Sequence, residues 1–280
     1  MAAGLPGSMC SVSGEVSLSE IDGLILDIDG VLVEGDRVLP GAVELIAYLN
    51  QYGTPYVFYS NNTTYPFQHH VEKLLKLGVP HPERILLTAA RVTARVLAAE
   101  AEPGTCCFVV GERGLIEALE EAGFVVLQDD HQKAAYVVIG MDRQLTYEKL
   151  KNAALAIRAG ARFISSNPDP SYPDGVEIVP ASGAIQAALE ASTGVPARVT
   201  GKPASPGFEL ALGMLGTQPR RTGMLGDQPQ IDICGASELG LRTFLVLSSL
   251  TPEYSPGSSE CAPDAIFEST QSFFEYWKAR

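Results

Sequence analysis

Cationic residues are scarce in this chain: 20 Lys and Arg stand against 33 Asp and Glu, a formal charge of −13 over 280 residues. That balance argues against a nucleic-acid backbone or an anionic membrane surface as the main partner, because both are bound chiefly through clustered positive charge. Cysteine is sparse too. The five (Cys10, Cys106, Cys107, Cys234, Cys261) are odd in number and show no C-x-x-C spacing, so neither a disulfide framework nor a zinc site is expected. Cys106 and Cys107 fall in a strand-like run and read as buried small hydrophobes. The four histidines are scattered except for His69-His70, which read as a solvated face of a predicted helix. No apolar run reaches about 18 residues, and the first twenty residues lack the basic start and apolar centre of a secretory leader. A soluble, cytoplasmic protein is expected.

What is present is a conspicuous acidic pentad. Asp27-Ile28-Asp29-Gly30-Val31 follows the apolar run Leu24-Ile25-Leu26. A short run without alternation reads as a strand buried on both faces of a parallel sheet, and such sheets bind ligands just beyond the carboxyl ends of their strands. Residues two apart in extended chain point the same way, so Asp27 and Asp29 are candidates to converge on one site. Like charges this close call for a cation between them, and Mg²⁺ typically takes one or two carboxylates plus substrate phosphate. The alternative for this pentad alone is a strand capped by a solvated acidic turn.

Strand and helix signals alternate from Ile21 onward, which predicts an α/β fold with a parallel sheet. Strands are expected at Leu24–Asp27, Pro55–Ser60, Arg198–Thr200, Thr222–Leu225 and Arg242–Leu247, and helices at Ala42–Tyr52 and Phe67–Leu77 and after Ser182 and Ser205. A second alternating block has strands near Arg84–Leu87, Cys106–Val110, Ala135–Ile139 and Arg162–Ser165, with helices after Thr88, Glu112 and Thr146. Pro80, Pro82, Pro168, Pro170, Pro173 and Gly175 punctuate its ends. The expected organisation is a mobile tail at 1–20, a core at 21–82 and 180–280, and an inserted smaller α/β domain at 83–179.

Three further core strands end in polar residues. Ser60-Asn61-Asn62 follows Val57-Phe58-Tyr59, Lys202-Pro203 follows Gly201, and Gly226-Asp227 follows Met224-Leu225, with Asp232 five residues on. Each is weak alone. Together they supply a carboxylate pair, a hydroxyl donor, a point cation and a second acidic pair, the inventory for moving a phosphoryl group on a metal.

With these motifs in this order the chain resembles the haloacid dehalogenase superfamily of phosphatases, and within it the NagD-like branch, which carries a large α/β cap. Gly140-Met141-Asp142-Arg143 with Tyr147, and Ser166-Asn167-Pro168-Asp169, are similar to that branch's cap and its exit. The resemblance, from about Gly23 to Val246, implies a Rossmann-like core with an inserted cap and a Mg²⁺-dependent hydrolysis of small phosphorylated metabolites. It implies that Asp27 is the nucleophile, forming an aspartyl-phosphate, and that Asp29 is the general acid and base. It implies Mg²⁺ held by the Asp27 carboxylate, the Asp29 backbone carbonyl and Asp227, with Asp232 binding directly or through water. Ser60, Asn61, Asn62 and Lys202 would bind the phosphoryl group, and Asp142 and Arg143 of the cap would read the rest of the substrate. For Arg143 a solvated turn charge is the alternative. A second copy of the chain is admitted as a partner, since related proteins often associate through their caps.

Two departures stand out: Ile231, where a Thr usually precedes the last Asp, and Ser248-Ser249, where the branch often has Gly. Carbon-halogen hydrolysis uses the same nucleophile but needs no metal set, so Asp29, Asp227 and Asp232 argue against it. A catalytically silent scaffold or metabolite-binding module is the alternative from another class.

Overall fold

A computed structural model of the chain describes residues 9–12, 18–127, 130–174, 177–255, 257 and 261–279. The chain divides into two units, one of Met1–Ser60, Val71–Leu86 and Phe208–Arg280, the other of Asn61–His70 and Leu87–Gly207.

The strands in chain order are β1 (Met9–Val12), β2 (Gly23–Leu26), β3 (Val33–Glu34), β4 (Arg37–Val38), β5 (Tyr56–Ser60), β6 (Leu86–Thr88), β7 (Cys106–Val110), β8 (Val125–Leu127), β9 (Tyr136–Ile139), β10 (Arg162–Ser165), β11 (Ser171–Asp174), β12 (Glu177–Pro180), β13 (Arg198–Val199), β14 (Thr222–Gly226), β15 (Arg242–Val246) and β16 (Ala265–Phe267). The helices are α1 (Ala42–Tyr52), α2 (Phe67–Lys76), α3 (Ala89–Ala98), α4 (Arg113–Glu121), α5 (Tyr147–Arg158), α6 (Ser182–Thr193), α7 (Ser205–Leu215), α8 (Cys234–Glu238) and α9 (Thr270–Lys278).

The first unit is built on a seven-stranded sheet of order β1-β16-β15-β14-β2-β5-β6. From β16 to β5 its neighbours run parallel, and β1 is antiparallel at the edge. Leu24, Ile25 and Leu26 are fully buried, as a central strand without alternation requires. Helix α1 buries Ala42, Leu45, Ile46 and Leu49, one face at helical spacing, and ends at left-handed Gly53. Helix α9 opens with a capping box at Ser269 and buries Phe273, Phe274 and Trp277.

The second unit contains a parallel five-stranded sheet of order β13-β10-β9-β7-β8. Thr88 and Thr146 cap α3 and α5 with their hydroxyls, where the sequence places these starts. The chain is thus α/β with parallel sheets, as expected.

Several local expectations need correction. The strand foreseen near Arg84–Leu87 as part of the inserted block forms at Leu86–Thr88 and sits at the edge of the seven-stranded sheet beside β5. The strand at Arg198, foreseen with the core set, pairs with β10 in the five-stranded sheet. Local pattern identifies a strand but not its partner. The second unit runs on to Gly207, past 179, because α6 contributes Ile185 and Leu189 to an apolar cluster with Phe108, Val137, Ile139 and Phe163. The foreseen tail lies partly outside the described residues, as does Gly175, yet Met9–Val12 form a strand on β16 and Leu18–Glu20 a 3₁₀ turn.

Cysteine pairing also differs from expectation. Cys234 and Cys261, 27 residues apart, form a disulfide with Cα atoms at 5.2 Å. Even spacing patterns are not required when a fold brings two lone cysteines together. Cys107 is a buried thiol, its pKa pushed up to about 12 chiefly by burial. His69 is exposed and stacked on Tyr65, whereas His70 is buried, so the solvated-face reading fits only the first.

Candidate active site

In the first unit the acidic residues sit at the carboxyl ends of adjacent strands. Asp27 follows β2 and stays in register with β14 through its N–H, which donates to the Leu225 carbonyl at 2.9 Å. Its Oδ1 accepts the N–H of Ile28 at 2.8 Å. Asp227 follows β14, and its Oδ2 accepts the Ser248 hydroxyl at 2.6 Å. Asp232 lies on a π-helical turn, Pro229–Ile233, and its Oδ2 accepts the N–H groups of Asp227 (3.2 Å) and Gln228 (3.0 Å). The buried Ile231 offers no polar support, and backbone amides serve Asp232.

Two glycines make this convergence sterically possible. Gly30 has φ +85°, and a Cβ there would lie 2.1 Å from Asp227 Oδ2. A Cβ on Gly226 would lie 2.3 Å from the Cβ of Asp232. The outcome is three buried carboxylates, Asp27, Asp227 and Asp232, with one oxygen from each within 4.8 Å of the others. Like charges gathered this tightly repel unless a cation lies among them, and the all-oxygen donor set suits a hard divalent ion. The residues present fit Mg²⁺.

Asp29 is not part of that carboxylate group. Its side chain is half-exposed and its Oδ1 pairs with Nζ of Lys73, on α2, at 3.0 Å. The two aspartates of the pentad therefore divide, one into the buried cluster and one into an ion pair at its margin. Ser60, the last residue of β5, is buried.

The second unit holds the remaining predicted site residues. Lys202 is buried, and its backbone is gripped by Asn61: Lys202 N–H donates to Asn61 Oδ1 (3.0 Å), while Asn61 Nδ2 donates to the Lys202 carbonyl (3.1 Å) and to Asp169 Oδ1 (2.9 Å). Asn167 Nδ2 in turn donates to the Asn61 carbonyl at 2.8 Å. The Lys202-Pro203 bond is cis. Asn62 accepts the N–H of Thr64 at 3.0 Å, a local turn contact.

Asp142 and Arg143 are both engaged internally. Asp142 is buried, its Oδ2 paired with Lys149 Nζ (2.7 Å) and its Oδ1 accepting the Gln144 N–H (2.9 Å). Arg143 forks onto Glu112, Nε to Oε1 at 2.8 Å and Nη2 to Oε2 at 2.7 Å, and donates from Nη1 to the Tyr65 hydroxyl at 3.2 Å. Burial tends to raise the Glu112 carboxyl, but the guanidinium outweighs it and holds the pKa below its ordinary value.

Sequence reasoning missed Lys73 as the partner of Asp29 and Ser248 as the partner of Asp227. Lys73 carries no local signal, being one charge on an amphipathic helix 44 residues away. For Ser248 the signal was present, as a departure from the branch's pattern.

The chain is similar to known proteins over most of its length. Residues 24–125 match the haloacid dehalogenase-like hydrolase family and residues 199–272 a second family of haloacid dehalogenase-like hydrolases. An acid sugar phosphatase of Staphylococcus aureus (strain USA300) is 37% identical over 227 residues, covering 81% of this chain and 86% of the relative. The p-nitrophenyl phosphatase from Archaeoglobus fulgidus superposes with TM-score 0.84 at 32% identity, covering 91% of this chain and 99% of that one. NagD from E. coli K-12 superposes with TM-score 0.77 at 31% identity, covering 90% and 97%. The chain belongs to the haloacid dehalogenase-like hydrolases, in the NagD-like branch of that superfamily's phosphatases.

Proposed function

We propose that this protein hydrolyses a small phosphate monoester through an aspartyl-phosphate on Asp27, with Mg²⁺ as cofactor. The observation that carries the reading is the buried group of Asp27, Asp227 and Asp232 at the ends of adjacent parallel strands. Asp27, Asp227, Asp232 and the Asp29 backbone carbonyl would hold the ion. When bound, Mg²⁺ supplies positive charge to the phosphoryl oxygens and offsets the carboxylates' mutual repulsion.

The Asp27 oxygen attacks phosphorus while the P–O bond to the leaving group breaks; Asp29 gives that oxygen its proton. Water, deprotonated by Asp29, then attacks the same phosphorus and frees Asp27 with inorganic phosphate. Its ion pair with Lys73 keeps the Asp29 carboxylate oriented between turnovers. By the family resemblance, Ser60, the backbone N–H of Asn61, and Lys202 would take the charge that develops on the phosphoryl oxygens; within the second unit Asn61 fixes the Lys202 backbone. Asn62 supports the turn that carries this group.

A sugar phosphate leads the substrate classes, because an acid sugar phosphatase is among the relatives; nucleoside monophosphates and phosphoglycolate-like esters follow. Asp142 and Arg143 are the candidates to read the rest of the molecule, Arg143 with only those N–H groups that Glu112 and Tyr65 leave over. Among the described residues no helix is long and apolar enough to cross a membrane.

The test is turnover of p-nitrophenyl phosphate and a phosphate-ester panel by wild type and Asp27→Asn, with and without Mg²⁺. Wild type should require the ion, and the variant should retain less than about a hundredth of the rate, since an amide cannot form the acyl-phosphate. Full activity after exhaustive chelation, or an active variant, would overturn the reading.

A further inference from the structure

The two serines that depart from the branch's pattern have separate partners. Ser249 faces the Glu34 carboxylate at the β3–β4 hairpin, where Arg37, and after it Ser249, holds the Glu34 carboxyl below its ordinary pKa. Ser248 bonds Asp227. The direction of that second bond is determined by its surroundings. Ser248 Oγ accepts two backbone N–H groups, from Leu250 at 3.1 Å and Thr251 at 3.2 Å. A hydroxyl has two acceptor lone pairs and one proton, so with both lone pairs engaged the proton is left for Asp227 Oδ2.

This donor acts on a carboxylate already confined on another side. Gly30 approaches so closely that a Cβ would meet Oδ2 at 2.1 Å. The carboxylate is thus held between the Gly30 backbone and the Ser248 hydroxyl, with a charge-assisted bond on one oxygen. Groups that orient a metal-ligating carboxylate in this way commonly set metal affinity, and their loss costs tenfold or more.

We infer that Ser248 is a positioning residue, which fixes the Asp227 carboxylate for metal binding and thereby sets the Mg²⁺ affinity of this enzyme. The inference rests on the Mg²⁺ reading above and adds a residue to it. It also gives the departure at 248–249 a division of labour: position 248 serves the metal site and position 249 the hairpin.

The experiment titrates wild type, Ser248→Ala, Ser248→Cys, Ser248→Thr and Ser249→Gly with magnesium chloride alone, by calorimetry, and measures the Mg²⁺ dependence of p-nitrophenyl phosphate turnover. Ser248→Ala and Ser248→Cys, which lose the strong donor, should bind Mg²⁺ about tenfold more weakly. Their kcat at saturating Mg²⁺ should fall far less than their affinity. Ser248→Thr keeps the hydroxyl, and a cavity of about 190 Å³ lined by Gly30, Leu247, Ser248, Ser249 and Thr270 has room for its methyl group, so it should bind like wild type. Ser249→Gly should too. Without Mg²⁺ every variant should still melt cooperatively, with Ser248→Ala and Ser248→Cys lowered by a few degrees because the Leu250 and Thr251 N–H groups lose their acceptor. Wild-type affinity in Ser248→Ala and Ser248→Cys would overturn the inference, as would equal weakening by Ser249→Gly or failure of threonine to restore binding. A wild type that binds no Mg²⁺ and turns over fully after chelation would instead overturn the reading beneath it.

Discussion

Two clusters, one in each unit, treat charge in opposite ways. In the second, Asp142 meets Lys149 and Arg143 meets Glu112, each charge paired with its opposite at 2.7 Å. In the first, three aspartates crowd together, steadied by the Ile28, Asp227 and Gln228 amides and the Ser248 hydroxyl. Paired charges fix a structure and need nothing added. Gathered like charges, set in place by neutral donors, are an arrangement that stores repulsion until a cation enters, and such arrangements mark function more often than stability.

Breaking the crowding should have the largest effect. In Gly30→Ala the new methyl must displace Asp227 Oδ2, which it would approach to 2.1 Å, and the residue must also hold φ +85°. We expect kcat/KM on p-nitrophenyl phosphate to fall by about a hundredfold or more, as for other misplacements near 1 Å in active sites. Circular dichroism should report a folded protein. Activity within a few-fold of wild type would show that the aspartates tolerate displacement and that the contrast between the two clusters is not functional.

That Gly30 and Asp227 touch was not legible in the sequence, although each was singled out. The pentad at 27–31 and the Gly226-Asp227 pair announce themselves because strand ends in parallel sheets have a local signature: an apolar run, then turn residues with chemistry. What joins one strand end to another is sheet order, which depends on long-range pairing that local pattern does not encode. The same gap explains β6 and β13, correctly seen as strands and assigned to each other's sheets. Lys73, Ser248 and the partner of Arg143 belong to this class too, since each contact spans 20 residues or more. Helix starts at Thr88 and Thr146 were legible because a cap is a contact with the next turn.

The disulfide secures the crowded cluster from the stability side. Cys234 lies two residues beyond Asp232, so the bond to Cys261 braces the segment that carries one of the crowded carboxylates. Closing a loop of this length is worth about 3.5 kcal/mol by the chain-entropy estimate. Dithiothreitol should therefore lower the melting temperature by several degrees, and Cys234→Ser should reproduce the drop without reductant. A melting curve indifferent to both would mean that the loop gains no stability from the bond.

The smallest effect belongs to the paired charges of the second unit. The Arg143–Glu112 pair is partly exposed, and such pairs contribute about 1 kcal/mol or less even when bidentate. Its pH dependence has a definite sign. The Glu112 carboxyl titrates below its ordinary 4.5 when folded, because Arg143 outweighs the opposing effect of burial. The pair's stabilisation is therefore fully present above 4.5 and is lost as the pH falls through the lowered value, where the carboxylate takes up a proton. Wild type and Arg143→Ala should differ in denaturant midpoint at pH 7 and converge in acid. Kinetics then separates structure from recognition. An Arg143 that also reads an anionic substrate should, when replaced, lower kcat/KM for that substrate by about tenfold while changing p-nitrophenyl phosphate turnover little. Equal changes on both substrates, alongside the convergent stability curves, would assign Arg143 to the ion pair alone and leave the second unit without a charged reader at this position.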